Sequence, residues 1–368
     1  MVAQGSQLTA SVHNAGAVPL DQTYRGRRAA TIENEALRVT VLVEGGHIAE
    51  VFDRETGLNP LWTPPWRSIE PSAFDPSRHG DTYGTAADAR LLAGIMGHNL
   101  CLDIFGGPSA DERAAGLTAH GEGSVVPYEI AESNAGLMMR ALLPLDRIRF
   151  ERRVELHGRT VAVHERVESL CPFDRPIGWT EHVTLGPPFL ERGATEFRAS
   201  ATRSRVFESE FGVDDYLRPG ADFDWPGAPC AAGGTADLRL FTSAPRSSAY
   251  TAHLMSQASE RAFFVAYSPA ANLAFGYVWN GADFPWMGIW EENCSRSASP
   301  WNGRTLTRGM EFGVSPFPET RRAMVDRGRL FETPTYRWLP ANGSIEASYW
   351  IVLRTAARIP ESFGNLRV

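Results

Sequence analysis

The feature that most narrows the fold is a long succession of short segments in which apolar and polar residues alternate, each closed by a turn signal. RAATIEN, ALRVTVLVE, HIAEVFD, VPYEIAES, GLMMRALLPL, DRIRFERRVEL, RTVAVHERVES and IGWTEHVTLG come first. ADLRLFTS, AFFVAYSP, LAFGYVWN, MGIWEEN, TRGMEFGVS and SIEASYWIVLR follow. A period of two is that of a strand, whose side chains alternate between two faces. FERRVELHG and TVAVHERVES alternate charge with Val or Leu, which marks antiparallel strands with one solvated face. The 34 glycines and 25 prolines are spread throughout and punctuate these runs. The expectation is an all-β chain, a large antiparallel sandwich or barrel. Helical patterns are few: ADERAAGLTAH, with Ser109 or Asp111 as cap, and PETRRAMVDRGRLF, a helix or only a turn. Nothing marks a linker, so 26–368 reads as a single domain. It follows a polar, aperiodic arm, 1–25, expected to be flexible.

Composition excludes several chemistries. The chain has no lysine, so neither a Schiff-base lysine nor a phosphate-loop lysine is present. Its net charge of −7 disfavours a nucleic-acid backbone as partner. Cys101, Cys171, Cys230 and Cys294 form no CxxC pair, against a zinc ribbon or redox motif, and fit a reducing compartment. The first residues, MVAQGSQLTASVHNAGAVPLDQ, lack a basic start and an apolar stretch. No apolar run approaches the ~20 residues of a membrane helix. A cytoplasmic protein with no membrane partner is expected, and a homodimer is among its allowed states.

Two strands place one titratable group on an otherwise small face. In GWTEHVTLGPP, Ile177, Trp179, Val183 and Leu185 share one side, with Glu181 the exception. Gly178, Thr180, His182, Thr184 and Gly186 share the other. In RTLTRGMEFGVSP, Leu306, Met310, Phe312 and Val314 share a face with Arg304 and Arg308. Thr305, Thr307, Gly309, Glu311, Gly313 and Ser315 form the opposite one. Small residues leave room and hydroxyls offer hydrogen bonds, so such a face suits a polyhydroxylated ligand. Trp279, Trp286, Trp290 and Trp301 supply aromatic surface for a sugar's apolar side, or else form core. GHNLCLDIFGGPS, with His98, Asn99 and Asp103, and GLTAHGEG, with His120, complete the candidates. Glu291 and Glu292 read as a solvated edge, and His47 as structural.

Several of these stretches resemble the aldose 1-epimerase, or galactose mutarotase-like, family. IENEALRVTVLVEGGHIAEVFDRETGLNPLW is similar to its first hairpin and the turn after it. AHGE is similar to its HG motif, and TEHVTLG to the strand bearing its central histidine. RGMEFGVSPFPE resembles the strand of its catalytic glutamate, and YRWLPANGSIEASYWIVL the closing strand pair. The resemblance runs from about residue 28 to 356. It implies a β-supersandwich with few short helices and a sugar site in a cleft. It also implies His182 as general acid, Glu311 as general base, and His120 near the ring oxygen or hydroxyls. His98, Asn99, Glu122, Asp283 and Trp290 are expected to bind substrate, Asp283 standing for the family's aspartate. The family's arginine segment before the HG motif has GIMGHNLCL in its place, with no arginine. Relatives acting on hexose phosphates tend to carry an arginine just after HG. Glu122 stands there instead and argues against a phosphorylated substrate.

The expected activity is anomer interconversion of an unphosphorylated sugar by acid–base ring opening, with no cofactor and no metal. Two alternatives use the same residues. One is a sugar-binding protein without turnover. The other is a metal-dependent β-fold enzyme with His98, His120 and His182 as ligands.

Overall fold

The computed structural model describes residues 22–133 and 136–363. Two large antiparallel sheets face one another. The first has 12 strands and the second 8. Of the expected arm, 1–21 lies outside the described residues, whereas Thr23–Tyr24 is already a strand paired with Arg27–Glu33.

Five central strands of the first sheet position the site. They are β1 (His98–Asp103), β2 (Arg175–Leu185), β3 (Ser247–Met255), β4 (Trp286–Asn293) and β5 (Leu306–Gly313). Their spatial order is β1-β2-β5-β4-β3, all antiparallel. A short edge strand, β6 (Arg337–Leu339), pairs with the start of β2.

One face of this sheet packs on the second sheet. Ile177, Trp179, Val183, Met310 and Phe312 join Phe264, Tyr277, Trp279 and Tyr349 in the main core. Trp279 stacks on Phe312 at 4.3 Å, which assigns Trp279 to the core. The alternation of β2 and β5 is therefore as expected, and Glu181, the polar exception, has a specific partner set. Arg152 donates to Glu165 at 2.6 Å, to Glu181 at 3.0 Å and to the Gly46 carbonyl at 2.9 Å. Tyr349 donates to both carboxylates. Burial still pushes the Glu165 carboxyl up to about 8 despite Arg152 beside it.

The other face of β1 to β5 is covered by chain rather than by a sheet. Trp62, Leu92, Tyr250, Trp286, Trp290, Trp301 and Phe317 form a second cluster there. Short helices contribute to this cover. Ala110–Ala114 carries a capping box from Ser109 and Glu112, and Arg321–Arg327 is capped by Thr320. Helices Pro76–Tyr83 and Ala89–Gly94 are additions to the sequence reading. ADLRLFTS, expected as a strand, is a strand only at Thr235–Asp237. β3 is not marked by the sequence pattern: all nine of its residues are buried, and alternation is confined to Tyr250–Leu254.

Candidate functional site

Register brings the site together. His182 pairs with Asn99 across β1 and β2. The β2–β5 pairing of Thr180 with Gly313 and Thr184 with Gly309 sets His182 opposite Glu311. Glu311 in turn pairs with Gly288, and Gly288 with Ala252. One row across five strands thus reads Asn99, His182, Glu311, Gly288, Ala252, all on the face turned away from the core.

His182 Nε2 lies 3.1 Å from Glu311 Oε1, without hydrogen-bond alignment. Its Nδ1 is 3.0 Å from the Thr184 hydroxyl, two residues along the same face. The Tyr250 hydroxyl donates to Glu311 Oε2 at 3.2 Å. His120 stands beside His182, ring centroids 4.9 Å apart. Asn99 Nδ2 donates to His120 Nδ1 at 3.2 Å and to the Ser124 hydroxyl at 3.1 Å. A neutral His120 that accepts at Nδ1 carries its proton on Nε2, as a donor. The backbone at His120 is left-handed, φ 66°, and is held by hydrogen bonds with Gly106 and Leu102. Trp290 lies 5.7 Å from His182 and completes the wall.

Burial dominates the electrostatics. Glu311 is pushed up to about 8 by burial, opposed by the Tyr250 hydrogen bond. His182 is held well below the usual imidazole range, first by burial and then by His120. His120 is lowered to about 4 by burial. Through the neutral range the carboxyl and both rings are therefore uncharged, and the Glu311–His182 pair carries a single acidic proton. Tyr250, raised well above its ordinary range by burial, remains a phenol.

The same face concentrates buried polar atoms with no hydrogen-bond partner among the described residues. Asn99 Oδ1, Thr180 Oγ1, Trp290 Nε1, Thr305 Oγ1 and Glu311 Oε1 are five of them. A buried polar atom left unpaired costs roughly 1–3 kcal/mol, so their gathering on one face marks where a hydrogen-bonding ligand belongs. His182 is 5% exposed and Glu311 2%, so the pair is well shielded. Beyond Trp290 lies a cavity of about 410 Å³ lined by Tyr83, Asp88, Leu92, Arg296 and Trp301. The Arg296 guanidinium rests 5.5 Å over Trp290 and 4.8 Å over Trp301, with Glu292 at 3.5 Å.

Two glycines make the carboxylate's geometry feasible. A Cβ on Gly309 would strike Glu311 Oε1, and one on Gly288 would strike the Tyr250 hydroxyl and lie 3.4 Å from Glu311 Oε2. Gly288→Ala is expected to cost about 1–3 kcal/mol through overpacking and to drive Tyr250 off Glu311. Thermal unfolding, read beside whatever activity or ligand binding the site supports, checks this.

The structure brings His182, Glu311, His120, Asn99 and Trp290 together and sends three expected site residues elsewhere. His98 faces the opposite side of β1 from Asn99. Its Nε2 is 2.7 Å from Glu181 and its Nδ1 3.1 Å from the Tyr277 hydroxyl, in the inter-sheet core. The three-histidine ligand set is thereby broken. Glu122 accepts from the backbone N–H groups of Leu145 and Asp146 and fixes a turn. Asp283 pairs with Arg337 at 3.5 Å and lines a different cavity. Glu291 and Glu292, expected on a solvated edge, are both buried. Tyr250 and Arg296 are the site residues that the sequence analysis does not single out. Tyr250 carries little signal, since Ser-Ser before it and Leu-Met after it break the alternation of its strand.

No family model matches the chain, and no curated protein matches its sequence. Solved structures do match its fold. A candidate aldose 1-epimerase from Klebsiella pneumoniae subsp. pneumoniae superposes with a TM-score of 0.63 at 13% identity, over 92% of this chain and 83% of that one. One from Escherichia coli K12 gives 0.61 at 13% identity, over 90% and 100%. A galactose mutarotase related enzyme from Lactobacillus acidophilus gives 0.56 at 14% identity, over 90% and 99%. At these identities the likeness is one of fold: the chain has the galactose mutarotase-like β-sandwich.

Proposed function

We propose that this chain, built on the galactose mutarotase-like sandwich, interconverts the anomers of an unphosphorylated sugar. The observation that carries the reading is the opposition of His182 and Glu311, 3.1 Å apart, on a face rich in unpartnered polar atoms. Anomer exchange needs one proton taken from the anomeric hydroxyl and one given to the ring oxygen. A Glu–His pair sharing one proton supplies both capacities in a single place. The resting pair holds its proton on Glu311; transfer of that proton to His182 gives the reacting form, in which the Glu311 carboxylate takes the hydroxyl proton and His182 protonates the ring oxygen. The ring opens to a carbonyl, the C1–C2 bond rotates, and closure on the other face returns both protons. His120 offers an N–H to the ring oxygen or a neighbouring hydroxyl, and Trp290 gives the ring an apolar wall.

Glu122 no longer bears on the substrate's charge, because it faces a turn. The charge near the site does: Arg296, beside Trp290 and Trp301, is already ion-paired with Glu292, which favours a neutral sugar over a phosphorylated one.

The test is exchange spectroscopy on α- and β-anomers of glucose, galactose and a panel of rarer aldoses. Wild type is expected to accelerate exchange of at least one. His182→Ala is expected to lose about 10²–10⁴ of that rate while still binding the sugar. Binding without acceleration in the wild type would instead identify a sugar-binding protein.

A further inference from the structure

A cavity of about 530 Å³ lies away from His182 and Glu311, at the end of the sheet where β4 begins and β5 ends. Met255 and Val314 give it an apolar lining. Asn280, Asp283, Tyr336 and Arg337 supply its polar part. Val314 is three residues beyond Glu311 along the chain, roughly 10 Å at the strand rise. Between the two spaces stands Trp286, fully buried, its indole N–H donating to the Pro334 carbonyl at 2.8 Å. That side chain and its hydrogen bond separate the cavity from the catalytic face.

Three properties define what the cavity suits. Its ion pair is loose: Arg337 Nη1 meets Asp283 Oδ1 at 3.5 Å. Both side chains remain partly exposed, at 30% and 24%. Several donors of the partly exposed guanidinium are therefore open to hydroxyls, while Asp283 is oriented by Asn280 as well as by Arg337. The pair is also neutral in sum, and Glu260 is the one further charge in the lining, which disfavours an anion and leaves a neutral hydroxylated ligand the better match. Finally, the wall continues onto the open surface as an aromatic pair. Tyr336 lines the cavity, and Trp338, two residues on along the same edge, meets it edge-on at 5.8 Å. Trp338 is 57% exposed, unusual for the largest apolar side chain. The bond network of the fold does not need it there, since β6 is held to β2 by backbone pairing of Arg175 with Leu339 and Ile177 with Arg337.

We infer that the Asp283–Arg337 cavity and the Tyr336–Trp338 edge form a second carbohydrate site, which takes a neutral oligosaccharide rather than a monosaccharide. One sugar residue fills the cavity against Met255 and Val314, with its hydroxyls on Asp283, Asn280 and Arg337. The next residue of the chain lies on Trp338, whose ring face supplies the apolar contact that a pyranose's C–H face seeks. The inference stands on this lining alone and does not depend on turnover at His182 and Glu311.

The test is calorimetric titration with maltotetraose, cellotetraose, xylotetraose and laminaritetraose, with tryptophan fluorescence as a second reading. At least one tetrasaccharide is expected to bind saturably to wild type and equally to Glu311→Gln. Trp338→Ala is expected to weaken that binding about tenfold or more, and Arg337→Gln to weaken it as well. Trp338 is largely exposed, so its replacement leaves the core intact, which circular dichroism verifies. Absence of binding by all four probes overturns the inference. So does binding that Glu311→Gln abolishes and Trp338→Ala leaves unchanged, which would place the saccharide on the catalytic face. A change of oligomeric state in Trp338→Ala, with saccharide binding absent, would make the edge a protein contact and likewise overturn it.

Discussion

Glu311→Gln is expected to lower the rate of anomer exchange by about 10²–10⁴-fold, with little loss of fold. The substitution keeps the side chain's shape and its place between Gly309 and Gly288. It keeps an acceptor for the Tyr250 hydroxyl, which donates at 3.2 Å. What it removes is the acidic proton shared with His182, because an amide neither takes nor gives one near neutral pH. The native carboxyl is already uncharged through most of the neutral range, pushed up to about 8 by burial. Exchanging it for a neutral amide therefore removes no buried charge, and the melting temperature should move by only a few degrees, roughly the effect of 1 kcal/mol in a domain of this size. Loss of rate with retained sugar affinity and stability locates the defect in proton transfer. Full activity in this variant would remove Glu311 from the chemistry.

Arg152→Leu is expected to be among the most destabilising single changes in the molecule, at about 3–5 kcal/mol. Arg152 is fully buried between the sheets and holds Glu165, Glu181 and the Gly46 carbonyl. Without it, the Glu165 and Glu181 carboxyl groups remain in a dry core with only His98, Tyr349 and Trp179 as hydrogen-bond partners among the described residues. Removing the carboxylates together with the arginine leaves no orphaned charge. Arg152→Leu combined with Glu165→Gln and Glu181→Gln should therefore recover part of the loss. Urea unfolding of the single and triple variants measures both values. A single variant within about 1 kcal/mol of wild type, the scale of an exposed pair, would show that the network contributes little. Because Glu181 precedes His182 on β2, a variant that stays folded also reports how far this network steadies the histidine.

Much of this architecture was legible because strands write themselves with a period of two. The small faces around His182 and Glu311 were visible as parity alone, and register then brought the two side chains to 3.1 Å. The same parity argues against reading His98 and Asn99 as partners, since adjacent strand residues face opposite sides. His98 went to Glu181 and Tyr277 for that reason. Glu122 and Asp283 lie in turns, where local sequence carries no face. Their directions were set by backbone N–H groups at 145–146 and by Arg337, both distant in sequence. Tyr250 was illegible for a different reason. β3 is covered on both sides, and its Ser-Ser start and Leu-Met end interrupt the short alternation of Tyr250 to Leu254, so the sequence does not mark it as a strand. Arg296 acquires its place only when its loop folds over Trp290 and Trp301.

The most direct test of the central claim, that Glu311 and His182 act as a pair sharing one proton, is the pH dependence of kcat/KM for anomer exchange. That parameter reports the free enzyme, and for a coupled pair it reports the pair's own macroscopic steps. With His182 held well below the ordinary imidazole range and Glu311 at about 8, the pair keeps its single proton throughout the neutral range. The account predicts a plateau there and a fall above about pH 8, as that proton is lost. Tyr250→Phe removes the hydrogen bond that favours the ionised carboxylate, so the fall should move to higher pH. A rate that climbs through pH 8, or a fall that Tyr250→Phe leaves in place, would contradict the shared proton and the assignment of Glu311 with it.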